Sequence, residues 1–202
     1  MNEFAVKKSR FTELLMRNNA AEERGFKEWI FNPGMLFKAG KKWWGDGGKR
    51  SNAHEGLDLC LYRNRQGMIV RLEAGMAVPA MYDGTVVKII DDFIGKSVII
   101  DHSFTSQRRF CSVYGHTVPE QGMKAGSRVS EGDVIAALSD PGQSKKGLFP
   151  HLHITLGLLS GEASYEFMDW ETLGKADVLL LDPLEVIGGN YVIEDLPAVM
   201  KP

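Results

Sequence analysis

The chain has 202 residues, 44% apolar and 25% charged, enough for one ordinary globular domain with additions and for a core that needs no covalent staples. Its formal net charge of −2 removes the global electrostatic case for binding nucleic acid or an anionic membrane and leaves only local patches. No stretch reaches the ~18 apolar residues of a membrane span, and the run from Met1 to Leu15, with Lys7, Lys8 and Arg10, lacks the apolar centre of an export signal.

Residues 1–31 carry apolar positions at helical spacing: Phe11, Leu14 and Leu15, then Ala20 and Ala21, then Phe26, Trp29 and Ile30. Gly25 interrupts the period and Asn32-Pro33-Gly34 stops it, which predicts two short helices packed as a cap on the main domain. In residues 35–53, Lys38, Lys41, Lys42, Lys49 and Arg50 surround Trp43-Trp44 and four glycines. Basic and aromatic side chains together can stack on polymers; the reading adopted is a solvated loop with both tryptophans tucked against the core.

From residue 54 to about 157 the period changes to short strands and turns, with runs at 58–62, 68–72, 84–90, 97–101, 109–114, 133–138 and 151–156. Asn64-Arg65-Gln66-Gly67, Asp83-Gly84, Ile94-Gly95-Lys96 and Glu131-Gly132-Asp133 supply turns. Gly75-Met76-Ala77-Val78 and Gly126-Ser127-Arg128-Val129 form an internal echo, through duplication of a β unit or through chance. Cys60 and Cys111 stand in separate strand-like runs, as one disulfide or as two buried thiols. Val178 to Leu181, ended by Asp182-Pro183, reads as a last strand or a strap, and the tail to Pro202 carries no readable chemistry. The division expected is an extension over 1–50, a β domain over 51–187 and a tail over 188–202.

Four of the five histidines fall in three strand-edge motifs. In Pro150-His151-Leu152-His153-Ile154, residues two apart on a strand face the same way, roughly 6–7 Å apart. That allows a paired-imidazole site or two unrelated histidines on a polar face. In His54-Glu55-Gly56-Leu57-Asp58 a histidine and a carboxylate would lie roughly 13 Å apart in an extended strand, and Gly56 permits a bend that brings them together. Tyr114-Gly115-His116 adds an imidazole at the end of another strand. Enzyme metal sites are built from such ligands on separate strands, with one position left to water.

The order His-x-x-x-Asp, Tyr-x-His, His-x-His resembles the lysostaphin-type, LytM-like zinc metallopeptidases, bacterial enzymes that cut peptide bonds in peptidoglycan. The resemblance extends over Gly75 to Val87, Val98 to His102, Gly126 to Ala136 and Asp182-Pro183. It implies a mainly β fold, an antiparallel β sandwich with internal duplication (the duplicated hybrid motif), here with short N-terminal helices. It implies Zn2+ held by His54, Asp58 and His153, with His151 as general base or acid and His116 as the second catalytic imidazole. It also implies peptidoglycan stem or cross-link peptides as substrate and a place in the periplasm, cell envelope or outside the cell, with an export segment absent from this chain.

The segment from Asp140 to Pro150 departs from the family's short Gly/Ser-rich approach, so Lys145 and Phe149, with Tyr114 under His116, are the candidate substrate contacts. His102 is expected to be structural, and Glu55 to face solvent. A non-catalytic peptidoglycan-binding or amidase-activating module on the same fold is the alternative, although such relatives have generally lost metal ligands. A sugar-phosphotransfer protein fits less well because of Asp58.

Overall fold

A computed structural model describes residues 6–21, 25–102, 109–142, 148–160, 164–170, 172–173 and 178–195. The first element, α1 (Phe11–Asn18), buries Phe11, Leu14, Leu15 and Met16 on one face, as their spacing demands. Past its end, the Asn19 amide donates to the Leu15 and Ala77 carbonyls at 2.8 and 2.9 Å and accepts the Ala77 N–H at 2.7 Å. One side chain thereby stops the helix and pins it to the sheet.

The second predicted helix is instead a strand, β1 (Phe26–Phe31). Its consecutive Trp29, Ile30 and Phe31 are all buried, and a short apolar run covered on both faces has no period that separates strand from helix. Pairing decides the matter. β1 lies antiparallel to β3 (Leu61–Asn64) and parallel to β13 (Tyr191–Ile193), in a four-stranded sheet of order β13-β1-β3-β4 with β4 spanning Ile69–Arg71. Arg63 bonds Glu28 at 3.0 Å and Glu194 at 2.8 Å, tying three of these strands together. A strand from the N-terminal extension and one from the C-terminal tail therefore lie side by side along one edge of the β3-β4 pair.

The larger sheet runs β12-β11-β8-β7-β6-β9, with β2, β5 and β10 attached. Its strands are β2 (Leu57–Leu59), β5 (Ala77–Pro79), β6 (Gly84–Asp91), β7 (Lys96–Asp101), β8 (Arg109–Pro119), β9 (Arg128–Val129), β10 (Val134–Leu138), β11 (Leu152–Leu159) and β12 (Val178–Leu181). All its pairings are antiparallel, so the protein is mainly β, as expected. Both G-x-x-V segments open on a glycine of positive φ, Gly75 at 84° and Gly126 at 90°, and lead into a short strand. One core cluster joins α1, Trp29 and Tyr62 to Tyr114 and Ile154, and a second packs Ile99, Cys111 and Val113 against Met168 and Leu173. Cys60 belongs to the first cluster and Cys111 to the second, and both are free thiols. No helix among the described residues is long and apolar enough to cross a membrane.

A buried polar chain runs through this core. The Met81 N–H donates to the Tyr114 hydroxyl at 2.7 Å, two residues along β8 from Ser112. Ser112 Oγ lies 2.6 Å from His102 Nε2, whose Nδ1–H donates to the Asp83 carbonyl at 2.9 Å. His102 is thus built into the frame. Burial disfavours its charged form and lowers its pKa, more than the Asp83 carbonyl and the nearby carboxylates raise it. The unfolded chain then binds the extra proton below about pH 6.5, so stability must fall as pH drops. In urea titrations of chelator-treated protein, His102 is expected to add up to about 1.4 kcal/mol per pH unit to the decline below that pH, on top of what the buried His151 contributes. His102→Gln should flatten the slope while lowering stability at pH 7. An unchanged slope would remove His102 from this role.

Candidate metal centre

The register of β11 assembles the site. His153 stands opposite Asp58 of β2 on one side and Gly115 of β8 on the other. His54 arrives from the preceding loop, where its backbone is bonded to Lys38 and Ala39. Gly56 lets that loop lie against β11, since a Cβ there would fall 2.7 Å from His153 Nε2. No positive φ is involved; the glycine is needed for closeness rather than for a bend.

Three donor atoms converge. His54 Nε2 lies 3.2 Å from Asp58 Oδ1 and 3.2 Å from His153 Nδ1, and His153 Nδ1 lies 2.8 Å from Asp58 Oδ1. Ligand atoms of a tetrahedral ion with bonds of ~2.0 Å stand about 3.3 Å apart, so the spacing fits. The far side of each residue is also occupied. His54 Nδ1–H donates to the Leu36 carbonyl at 2.9 Å, His153 Nε2 and the Thr155 hydroxyl share a hydrogen bond at 2.9 Å, and Asp58 Oδ2 accepts the Trp43 indole N–H at 2.7 Å. The Leu36 carbonyl, which can only accept, fixes the hydrogen on His54 Nδ1, and the Thr155 bond turns His153 Nδ1 toward the other donors. Arg50 Nη2 adds its charge 3.6 Å from Asp58 Oδ2. Asp58 is only 1% exposed. Burial opposes its ionisation, but His54 and His153 outweigh that and hold its pKa well below the usual carboxylate range. Two imidazoles, one carboxylate and an open side form a donor set for a divalent ion.

A cleft of about 230 Å³ opens on this triad, walled by Trp44, Glu55, Phe93, His116 and Trp170. Trp43 is buried against the core, whereas Trp44 stands in the wall with Arg50 stacked 4.7 Å from its ring centre. The segment read from sequence as a packed loop therefore builds one side of the cleft. Glu55, expected in solvent, is half-buried at the same cleft. Trp170 rests edge-on over His153 at 5.0 Å, and Lys88 fastens the turn before it through the Glu166 and Met168 carbonyls.

His116 and His151 lie beside the triad with ring centres 4.7 Å apart, and His116 is 5.8 Å from His153. His116 lines the cleft; His151, 2% exposed, sits behind it against Trp43. The His151 Nδ1–H donates to the Phe149 carbonyl at 2.8 Å, which leaves Nε2 as the acceptor. Burial above all pulls the His151 pKa down to about 3. This ring is neutral at physiological pH. Asp92, which the sequence reading passed over, bonds both the backbone and the ring of His116. Its only local signal is an Asx-type turn before Gly95; the contact with His116 spans 24 residues and has no signature in the sequence.

The expected substrate contacts fare differently. Tyr114 is fully buried with its hydroxyl bonded to the Met81 N–H, so it belongs to the core and offers a substrate no surface. Phe149 packs under Arg71 at 3.9 Å, outside the cleft lining, and serves His151 through its carbonyl. Lys145 lies outside the described residues.

A sequence model of peptidase family M23 matches residues 63–163, half of the 202 residues. The chain belongs to peptidase family M23. The matched span takes in His116, His151 and His153 and begins after His54 and Asp58. No curated protein matches the chain. Among solved structures, a candidate M23 peptidase from Pseudomonas aeruginosa is 27% identical over 74% of this chain and 56% of its own, with a TM-score of 0.38. Lysostaphin is 19% identical over 70% and 51%, TM-score 0.41. The catalytic domain of the prophage-encoded M23 protein EnpA from Enterococcus faecalis is 21% identical over 65% and 85%, TM-score 0.38. This M23 chain thus spans about half the length of the first two.

Two substitutions separate the roles in this M23 site. Trp43→Phe removes the donor on Asp58 Oδ2 and is expected to weaken binding of a divalent metal about 10–100-fold in a competition titration, with circular dichroism unchanged. Unaltered affinity would make Trp43 a packing residue only. Tyr114→Phe leaves the buried Met81 N–H without its acceptor and should cost about 1–3 kcal/mol of unfolding free energy with metal affinity unaffected. A changed metal affinity would return Tyr114 to the site.

Proposed function

We propose that this chain is a zinc-dependent endopeptidase that hydrolyses peptide bonds in bacterial peptidoglycan. The observation that carries the proposal is the complete three-donor set at the floor of an open cleft, in a chain of an established peptidase family. His54 Nε2, Asp58 Oδ1 and His153 Nδ1 would hold the ion, and the peptidase region is the β domain over 51–187. Zinc supplies a Lewis acid for the scissile carbonyl and lowers the pKa of the attacking water.

The chain's own residues do the rest. His116 and His151, each with Nδ1 engaged by a partner, leave Nε2 to take the water proton, return it to the leaving amine and hydrogen-bond the reacting oxygen. Trp44, Phe93 and Trp170 bound the cleft on the sides where a peptide would lie, limiting access of water. Peptidoglycan stem or cross-link peptides are the substrate class proposed, in keeping with the family's general action on cell walls, and the proposed place of action is the periplasm, cell envelope or cell exterior.

The test has two arms. Purified protein is expected to hold one zinc per chain by elemental analysis and to solubilise purified cell walls with release of new free amino groups. His151→Ala should retain zinc and lose at least about a hundredfold in rate. Full zinc occupancy without cleavage of any wall type would leave the binding-module alternative standing.

A further inference from the structure

Asp92 follows β6 and faces the turn to β7. Its Oδ1 accepts the N–H groups of Ile94 and Gly95, each at 2.8 Å, and the ring Nδ1–H of His116 at 3.2 Å. Its Oδ2 accepts the Ser97 hydroxyl at 2.6 Å and the backbone N–H of His116 at 2.7 Å. The bonds to Ile94 and Gly95 would serve any Asx turn, and an exposed aspartate suffices for that. Here the side chain is 1% exposed, and a buried carboxylate is costly unless its charge is answered.

Most of that answer comes from His116. The pairing of β7 with β8 shifts register between Lys96 and Val98, and His116 takes a φ of +63° at the irregularity. Left-handed backbone costs a non-glycine residue about 1–2 kcal/mol, and bulges of this kind re-aim side chains beside active sites. The Asp92 carboxylate grips the strained residue at both its amide and its ring. Burial raises the pKa of Asp92, yet the ring bond from His116, with Ser97 and the His116 amide, brings it below the usual carboxylate range. An ionised carboxylate can only accept, so Nδ1 of His116 carries the hydrogen.

We propose that Asp92 is a positioning residue for His116: it locks the imidazole in the Nδ1–H tautomer, with Nε2 as the one ring atom free to exchange a proton in the cleft. The catalytic consequence rests on the peptidase reading; the tautomer does not. During amide hydrolysis a proton that His116 takes from the attacking water can enter its ring only at Nε2. It then departs to the amine as the C–N bond breaks, while Asp92 keeps its charge and its bond to Nδ1–H at each stage. The arrangement is that of a carboxylate orienting a catalytic imidazole.

The experiment compares wild type, Asp92→Asn, His116→Ala and the double variant, each zinc-loaded and checked for thermal midpoint and metal content. Nitrogen-15 spectra of the histidine rings should show His116 as a single Nδ1–H tautomer in the wild type and a growing Nε2–H population in Asp92→Asn. kcat should fall about 10–100-fold with KM within about twofold, a split that loss of structure would not give. In the His116→Ala background, Asp92→Asn should cost less than about twofold more. Ser97→Ala removes one anchor and keeps the carboxylate, so it should shift the tautomer in the same direction to a smaller extent, and it serves if Asp92→Asn does not fold. An unchanged His116 tautomer in both variants, or an equal loss of kcat without His116, overturns the proposal. A wild type that cuts no peptide bond would defeat the peptidase reading instead, and the ring spectra would still judge the dyad.

Discussion

The contact on which the site depends is the crossing of β11 with β2, where His153 and Asp58 face one another within hydrogen-bond reach. In an antiparallel pair a slip of one residue moves a side chain to the other face. A slip here would separate the carboxylate from both imidazoles and leave it buried and unanswered, at a cost of several kcal/mol. The hydrophobic pattern therefore fixes the register, and the register brings together ligands about a hundred positions apart. The apolar neighbours Leu57, Leu59, Leu152 and Ile154, all fully buried, supply the driving force that holds the polar atoms in place.

Around that crossing, every polar group at the centre is oriented by a partner that faces away from it. The Leu36 carbonyl, Thr155, Trp43, the Phe149 carbonyl and Asp92 each engage the outer atom of a site residue. These partners come from loops and strands scattered through the chain. Their common effect is to choose a tautomer or an oxygen, so that the inner atoms point at a shared space without rearrangement. Close packing is part of the same device. Gly56 and Gly115 stand where a Cβ would meet His153 Nε2 at 2.7 Å and His153 Cβ at 3.3 Å, so the backbone closes on this residue from both neighbouring strands.

The strands of the second sheet show how far local pattern reaches. Helical spacing at Phe11, Leu14 and Leu15 was enough for α1, because one face of that element is solvated and the other buried. The same reasoning failed at Trp29 and Ile30, because β1 is covered on both faces and its neighbours come from both ends of the chain. Tyr191 to Ile193 offered too few residues to read at all. Trp43 and Trp44 looked alike in sequence, yet one orients Asp58 and the other faces the cleft, a difference set by which way the loop turns against the core.

The sequence by itself determined the chemistry available: the His-x-x-x-Asp, Tyr-x-His and His-x-His motifs, their strand context, and the family to which their order points. These are legible because ligand type and alternation along a strand are local properties. Only the tertiary structure decided which atoms converge, which tautomers they hold, that Tyr114 belongs to the core, and that Asp92 stands behind His116. Those outcomes depend on pairings between distant segments, and a hydrogen bond spanning dozens of residues leaves no periodic trace in the chain that makes it.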